Sequence, residues 1–482
     1  MPLGFRLAGE FLKAVRRRDR EPDPAPLLVE LLAAPEGPGW RSEHFPFCYR
    51  VASEGPAPYY EVACALPQPV IGSMRKVVRD ASEELDPEEV VPLTFARLVE
   101  VMTRLTAEGL ASSGVMQRIR ELSELAAFEA LGLSRVLALA KDPQVTEFFV
   151  DSEDSPIYLD HVSAGRCETS IVFTRTETDA IKTHLDTFSG YTLDYQTPSL
   201  KNDLTVGGAV LRVSLDLDPV AVNRFALDVR RLNVSTLTMP RLVKMGVISE
   251  EAAGFLVGWL EAGGNVTIVG ETGTGKTTLL NALDAKVGRR LRRLYIEDAV
   301  ETRDMLAEGY HQMKVKVDPF ERGAGAGRTK ESEIVKALHR SPDIVILSEI
   351  QSEEHSRAFF QALASGARGI QTFHASTVEQ AVRRWVNLHH IAEQSLLDLG
   401  VLVQMARPDR LRQERYVKRV CAVAPEGETP RIVEVFARDR EDRLRRMAGP
   451  SWPVLPQGVE GEALRERVEA ALRDIGSEPR MP

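Results

Sequence analysis

The sequence predicts an α/β protein: a parallel sheet covered by helices, preceded by a small α+β unit and an α-rich N-terminal region. Three observations predict it. Apolar, strand-like runs alternate with helical segments between residues 241 and 410. One of those runs leads through a glycine-rich loop directly into a helix. Before them, residues 141–232 read as short strands separated by polar turns, and the stretch before that shows helical spacing.

The glycine-rich loop is the most informative stretch. Asn265-Val266-Thr267-Ile268-Val269 is a short β-branched run that reads as a buried strand, and Leu279-Leu280-Asn281-Ala282-Leu283 reads as the start of a helix. Between them lies Gly270-Glu271-Thr272-Gly273-Thr274-Gly275-Lys276-Thr277-Thr278, with the spacing G-x-x-x-x-G-K-T of a phosphate-binding P-loop. Glycines let successive N–H groups turn toward phosphate oxygens, and the helix N-terminus adds partial positive charge at the same place. The nucleotide-binding candidates are therefore Gly270, Thr272, Gly273, Thr274, Gly275, Lys276, Thr277 and Thr278. Lys276 is placed to reach the β- and γ-phosphates, and Thr277 to give its hydroxyl to Mg²⁺. This spacing implies a nucleoside triphosphate as ligand.

Composition bounds the rest. The chain has 482 residues, 43% hydrophobic and 27% charged, an ordinary globular balance that suggests about three domains. A net charge of −9 argues against a protein whose main task is coating nucleic acid. Cys48, Cys64, Cys167 and Cys421 are far apart, so neither a zinc site nor a disulfide framework is expected, in keeping with a reducing cytoplasm. No apolar run approaches the roughly 20 residues that cross a bilayer. Residues 5–20 are basic and partly amphipathic. They read as a solvated surface helix or as a contact with an anionic membrane surface.

In chain order, residues 1–140 form the α-rich region. Within them, residues 21–58 are Pro- and Gly-rich, Tyr59–Ala63 is strand-like, and Ser73–Leu139 carries helical spacing. Residues 141–232 form the α+β unit, with strands at Val145–Val150, Ile157–Leu159, Thr169–Phe173, Val210–Leu215 and Phe225–Arg230 and a helix at Thr178–Phe188. Arg212, Arg230 and Arg231 lie at or near its strand ends. Residues 233–240 read as a linker, 241–410 as the P-loop domain, and 411–482 as a β-hairpin and a polar helix.

Within the P-loop domain, three further strands end on functional groups. Arg293–Asp298 ends on Glu297 and Asp298, with Glu301 just beyond. Asp343–Glu349 ends on Glu349, and Ile370–His374 on His374. Side chains that do chemistry on parallel sheets gather at the carboxyl ends of strands. Phosphoryl transfer to water needs a cradle, a metal, an orienter for water and positive charge on the transferred phosphate. Glu349 is placed to hold Mg²⁺ together with Thr277. The Glu297, Asp298 and Glu301 cluster supplies a base without singling out which acid serves. His374 is the candidate contact to the γ-phosphate. No group inside this domain stands out as the extra positive charge. Arg212, Arg230 and Arg231 of the preceding domain are the candidates, reaching a nucleotide held between domains or subunits.

These residues resemble one family, the ATPases of type II and type IV secretion systems, including pilus and archaellum assembly motors. Gly270–Thr278 is similar to its Walker A form, Ile296–Glu301 to its Asp box, Pro342–Glu349 to its Walker B segment and Thr372–Ala375 to its His box. The likeness extends over residues 142–407. It implies a RecA-like P-loop domain after a PAS-like α+β domain, assembled as a homohexamer that hydrolyses ATP with Mg²⁺. It further implies that Arg212 and Arg230 approach the phosphates, that Glu301 or a neighbouring acid is the catalytic acid, that Glu349 acts in Walker B, and that His374 contacts the phosphate end. The implied setting is the cytoplasmic face of the membrane, on a polytopic platform protein of a pilus-like system, without nucleic acid. Two residues depart from the pattern, since Ser348-Glu349-Ile350-Gln351 stands where the family usually has Gly-Glu, an apolar residue and Arg. The absence of a four-cysteine module places the chain nearer the archaeal or Tad-like branch. The rival readings are a nucleic-acid translocase of the RecA-like class and a nucleotide-gated scaffold that does not hydrolyse.

Overall fold

A computed structural model describes residues 39–52, 57–64, 66–153, 155–189, 192–232, 237–317, 329–407, 415–427, 429–439, 441–447, 454–456 and 459–476. The basic N-terminal stretch, most of the Pro-rich segment, the core of the linker, and Arg322 and Arg328 lie outside the described residues. The chain divides into two compact units, residues 1–234 and 235–482.

The first unit begins with β1 (Trp40–His44), β2 (Phe47–Ala52) and β3 (Tyr59–Cys64). Four helices follow: α1 (Gln68–Glu84), α2 (Phe95–Ser112), α3 (Ile119–Ala130) and α4 (Ser134–Lys141). Helix α2 is capped by Thr94, whose Oγ1 accepts from the Arg97 N–H at 3.2 Å, and it buries Phe95, Leu98, Val101, Met102 and Leu110 along one stripe. Next come β4 (Val145–Val150), β5 (Pro156–His161), β6 (Gly165–Val172), α5 (Arg175–Ser189), β7 (Ser199–Val206), β8 (Ala209–Leu217) and β9 (Phe225–Arg231). Among the described residues the strands form one sheet in the order β1-β2-β3-β6-β5-β4-β9-β8-β7.

That order joins segments the sequence reading separates at residue 140. Strand β3 pairs in parallel with β6, and one apolar core runs from Phe47 to Val229. Polar bonds cross the same point. Tyr60 Oη donates to Asp142 Oδ2 at 2.9 Å, and Arg231 Nη2 to the Ala140 carbonyl at 2.6 Å. The "α-rich" N-terminal region is thus a helical layer plus three strands of a shared sheet. Alternation explains why β2 is faint: buried Phe47, Tyr49 and Val51 alternate with half-buried Cys48 and Arg50.

The second unit starts with α6 (Met239–Lys244) and α7 (Glu250–Glu261), the latter capped by Ser249 and carrying Glu250 and Glu251 in its first turn. It continues through β10 (Val266–Gly270), α8 (Lys276–Asp284), β11 (Arg292–Glu297), β12 (His311–Lys316), α9 (Lys330–Ala337), β13 (Ile344–Ile350), α10 (Glu353–Ala364), β14 (Gly369–His374), α11 (Val378–Arg383) and β15 (Val401–Ala406). The chain closes with β16 (Tyr416–Glu426), β17 (Thr429–Arg438), β18 (Leu444–Arg446) and α12 (Gly461–Ile475). The sheet order is β12-β11-β13-β14-β10-β15-β16-β17-β18, parallel from β12 to β15 and antiparallel beyond. The hairpin expected as an extension therefore continues the same sheet.

Both faces of the central strands β10 and β15 are buried. Val266, Ile268, Val401 and Val403 join one apolar cluster, while Val269 and Leu402 join the other. This is why these strands read as continuous apolar runs. The C-terminal helix α12 lies on α7 at two glycines one turn apart. A Cβ on Gly258 would sit 2.7 Å from the Val468 nitrogen, and one on Gly254 2.6 Å from the Leu472 side chain. Glycine is unfavourable inside a helix by about 1 kcal/mol, and here the lost propensity is offset by close packing. Gly258→Ala is expected to push α12 off α7 and lower stability by about 1–3 kcal/mol in urea denaturation, while the surface change Gly263→Ala leaves α12 in place.

Candidate functional site

The site is built around β10. Its neighbours in the sheet are β14 and β15, with Gly270 opposite His374 and Val269 opposite Gln404. The strand ends at Gly270 because the chain must turn there: a Cβ would lie 2.5 Å from Thr274 Oγ1. Thr274 is buried, and its hydroxyl donates to the Glu271 carbonyl at 2.8 Å, closing the loop on itself. Gly273 and Gly275 take φ of 76° and 89°, backbone that side-chain-bearing residues rarely adopt. Gly275 caps α8, and Lys276 opens it. The Lys276 ammonium is 8% exposed and donates to the carbonyls of Gly270 and Glu271, each at 3.0 Å.

The far end of α8 is pinned from below. Asp284 accepts from Arg293 Nε at 2.7 Å and from Tyr295 Oη at 2.6 Å, and Arg293 Nη2 donates to the Val287 carbonyl at 2.7 Å. Arg293 is wholly buried, so this ion pair ties the P-loop helix rigidly to β11.

Beside the loop, Lys276, His374 and Glu349 form a run. Lys276 Nζ stands 3.3 Å from His374 Nδ1, His374 Nε2 touches Glu349 Oε1, and Glu349 Oε2 accepts from Gln351 Nε2 at 2.6 Å. Ser348, where a glycine is usual in the family pattern, places its hydroxyl 3.4 Å from Asp298 Oδ1. Sequence reasoning missed Lys330. Its side chain is 2% exposed, and its ammonium donates to Asp298 Oδ1 at 3.2 Å and to the Glu349 carbonyl at 2.9 Å. It therefore joins the acid cluster after β11 to the end of β13. A single lysine in the first turn of a helix carries no signal in a sequence.

The three acids separate by environment. Glu297 is fully buried, and its carboxylate accepts from the Glu301 N–H at 3.1 Å, the Thr302 N–H at 3.0 Å and the Thr302 hydroxyl at 2.7 Å. Burial pushes its carboxyl above the usual range, opposed by the Thr302 hydroxyl and the Lys314 ammonium. These contacts hold the turn after β11. Asp298 is engaged by Lys330. Glu301 is half-buried, and its carbonyl accepts from Asn281 Nδ2 of α8 at 3.1 Å.

Arg212 and Arg230 belong to the first unit, as register partners on β8 and β9, and Arg212 Nε donates to Asp203 Oδ1 at 3.1 Å. Arg231 donates to the carbonyls of Ala140, Asp142 and Val145, a backbone-clamping role. In the second unit an open cleft of about 560 Å³ is lined by Glu271, Thr272, Thr274, His374, Gln380 and Arg407, among others.

The residues present fit a nucleoside triphosphate with Mg²⁺. Gly273 and Gly275 let the loop backbone turn with no Cβ at those two positions, the Lys276 ammonium is held at the loop's own carbonyls, and Thr277 and Glu349 offer the hard oxygen ligands that Mg²⁺ takes. Fold and site together define an α/β, RecA-like P-loop protein. Residues 201–422 match the model of the type II/IV secretion system protein family, and over that stretch the chain is similar to it. It is 27% identical over 259 residues to the uncharacterized protein MJ0781 of Methanocaldococcus jannaschii, covering 52% of this chain and 35% of that one. It is 35% identical over 127 residues to the type IV secretion system protein PtlH of Bordetella pertussis, covering 26% of this chain and 36% of PtlH. The chain thus spans little more than a third of either relative. Among solved structures it is similar to the VirB11 ATPase of the Brucella suis type IV secretion system at 17% identity and a TM-score of 0.31, covering 60% of this chain and 93% of that one. Among the described residues no helix is long and apolar enough to cross a membrane.

Glu297→Ala strands two buried N–H groups and a hydroxyl, so it is expected to lower stability by about 2 kcal/mol or more in urea denaturation. Glu297→Gln keeps the acceptor oxygen and is expected to stay within about 1 kcal/mol of the parent.

Proposed function

We propose that this protein is an ATP-hydrolysing motor of a type II/type IV pilus-like secretion system, working as a homohexamer at the cytoplasmic face of a membrane on a polytopic platform protein. The observation that carries the reading is the convergence of Lys276, His374 and Glu349 beside the P-loop, at the carboxyl ends of neighbouring parallel strands. The match of residues 201–422 to the secretion-protein family model supports the secretion setting.

The roles follow from the contacts. Gly270–Thr278 cradles the phosphates with backbone N–H groups and the start of α8. Lys276 exchanges its two carbonyl partners for phosphate oxygens, a stronger, charge-assisted pairing. Thr277 and Glu349 would hold Mg²⁺, which when bound draws charge from the phosphate oxygens. His374, already between Lys276 and Glu349, reports the terminal phosphate to Glu349. Glu301 is the acid that orients water, placed by Glu297, which holds its backbone N–H. Lys330 keeps Asp298 and the end of β13 in register. Arg212 and Arg230 would bring further positive charge to the phosphates once copies assemble.

Phosphate release by the purified full chain tests the reading. Lys276→Ala is expected to abolish ATP binding, and Glu349→Gln to keep binding while slowing release by about 10²-fold or more. Equal, slow release by all three proteins would leave the non-hydrolysing scaffold as the better reading. Stimulation of release by DNA would favour the translocase.

Lys330→Met leaves Asp298 without its buried cation. It is expected to lower kcat by about tenfold or more with ATP affinity within about threefold of the parent, and Lys330→Arg is expected to recover part of the loss.

A further inference from the structure

We propose that Arg407, supported by Arg415, is a guanidinium supplied from within the P-loop unit itself that grips the terminal phosphate of a bound nucleoside triphosphate. The inference rests on the nucleotide reading above and adds to it the positive charge that the sequence of this domain does not reveal.

The placement comes from the sheet. Strand β15 runs parallel to β10 and directly beside it, so its end rises to the level of the P-loop, as the end of β14 does on the other side with His374. Arg407 is the first residue past β15, and it lines the same cleft as Thr272, Thr274 and His374. Its Nη1 lies 3.5 Å from the point where a Cβ on Gly273 would stand. Strand β16 returns antiparallel with Tyr416 opposite Ala406, which puts Arg415 next to Arg407 across the two strands. Arg415 Cδ lies 3.6 Å from the Cβ position of Gly275. The two left-handed glycines of the loop are therefore each backed by an arginine.

The chemistry follows from charge. Lys276, Arg407 and Arg415 bring three cations to one loop of nine residues. A polyanion lying in the loop pairs with charge of the opposite sign on three sides. A guanidinium presents several N–H donors in one plane and matches a phosphate in two-point fashion, which an ammonium does not. Arg407 borders the cleft alongside His374, so it meets the outermost phosphate. Arg415 is absent from the cleft lining and backs the loop at Gly275, next to the lysine that holds the inner phosphates. The consequence is selectivity: Arg407 favours a triphosphate over a diphosphate.

Equilibrium titration of the full chain with fluorescent ATP and ADP analogues tests this, with circular dichroism as the check on folding. Arg407→Ala is expected to weaken ATP about tenfold or more and ADP less than about threefold, with Arg407→Lys intermediate. Lys276→Ala is expected to lose both nucleotides. If Arg407→Ala and the milder Arg407→Gln both keep the parent's ratio of ATP to ADP affinity while Lys276→Ala loses both, the grip by Arg407 is refuted and the nucleotide site stands. If the parent protein binds neither nucleotide, the nucleotide reading falls and the grip with it.

Discussion

The site depends on one constraint: β10 is buried on both faces, between β14 and β15. A strand so enclosed can end only at the sheet's edge, and the chain must leave through a turn too tight for side chains. Gly270, Gly273 and Gly275 meet that demand, and α8 restarts at Lys276 in the space that remains. The flanking strands are subject to the same geometry. Their ends arrive at the same height and deliver His374 from one side and Arg407 from the other. The anchoring of α8 to β11 through Asp284 and Arg293 keeps this arrangement from loosening.

Much of this was legible in the sequence. The P-loop spacing marks its own strand and helix, and strands buried on both faces advertise themselves as apolar runs. The acids and the histidine at strand ends follow from where such runs stop. What sequence does not show is lateral order. Nothing in Val401–Ala406 says that it pairs with β10 rather than with a strand farther off, so Arg407 reads as the end of a domain rather than as a wall of the site. Strand β12 was invisible for another reason: His311–Lys316 has no fully buried residue and so no apolar pattern. Strand β7 buries only Leu200 and Val206.

Residue identity likewise says little about which acid does what. Glu297, Asp298 and Glu301 are equivalent as letters. Their environments differ because Thr302 and two backbone N–H groups close on the first, Lys330 reaches the second, and the third stays at the half-buried rim. The boundary expected near residue 140 misled in a similar way. A run of helices looks self-contained, yet its core is completed by strands contributed from 90 residues on, such as Val229.

The contact between α7 and α12 has a further consequence. Helix α7 leads directly into β10 through the turn at Gly263 and Gly264, and its outer face is covered by α12 through Gly254 and Gly258. A force or a bound protein acting on α12 would therefore be felt at the root of the nucleotide loop, with only one helix in between. A helix that has no chemistry of its own is mechanically one of the elements nearest to it.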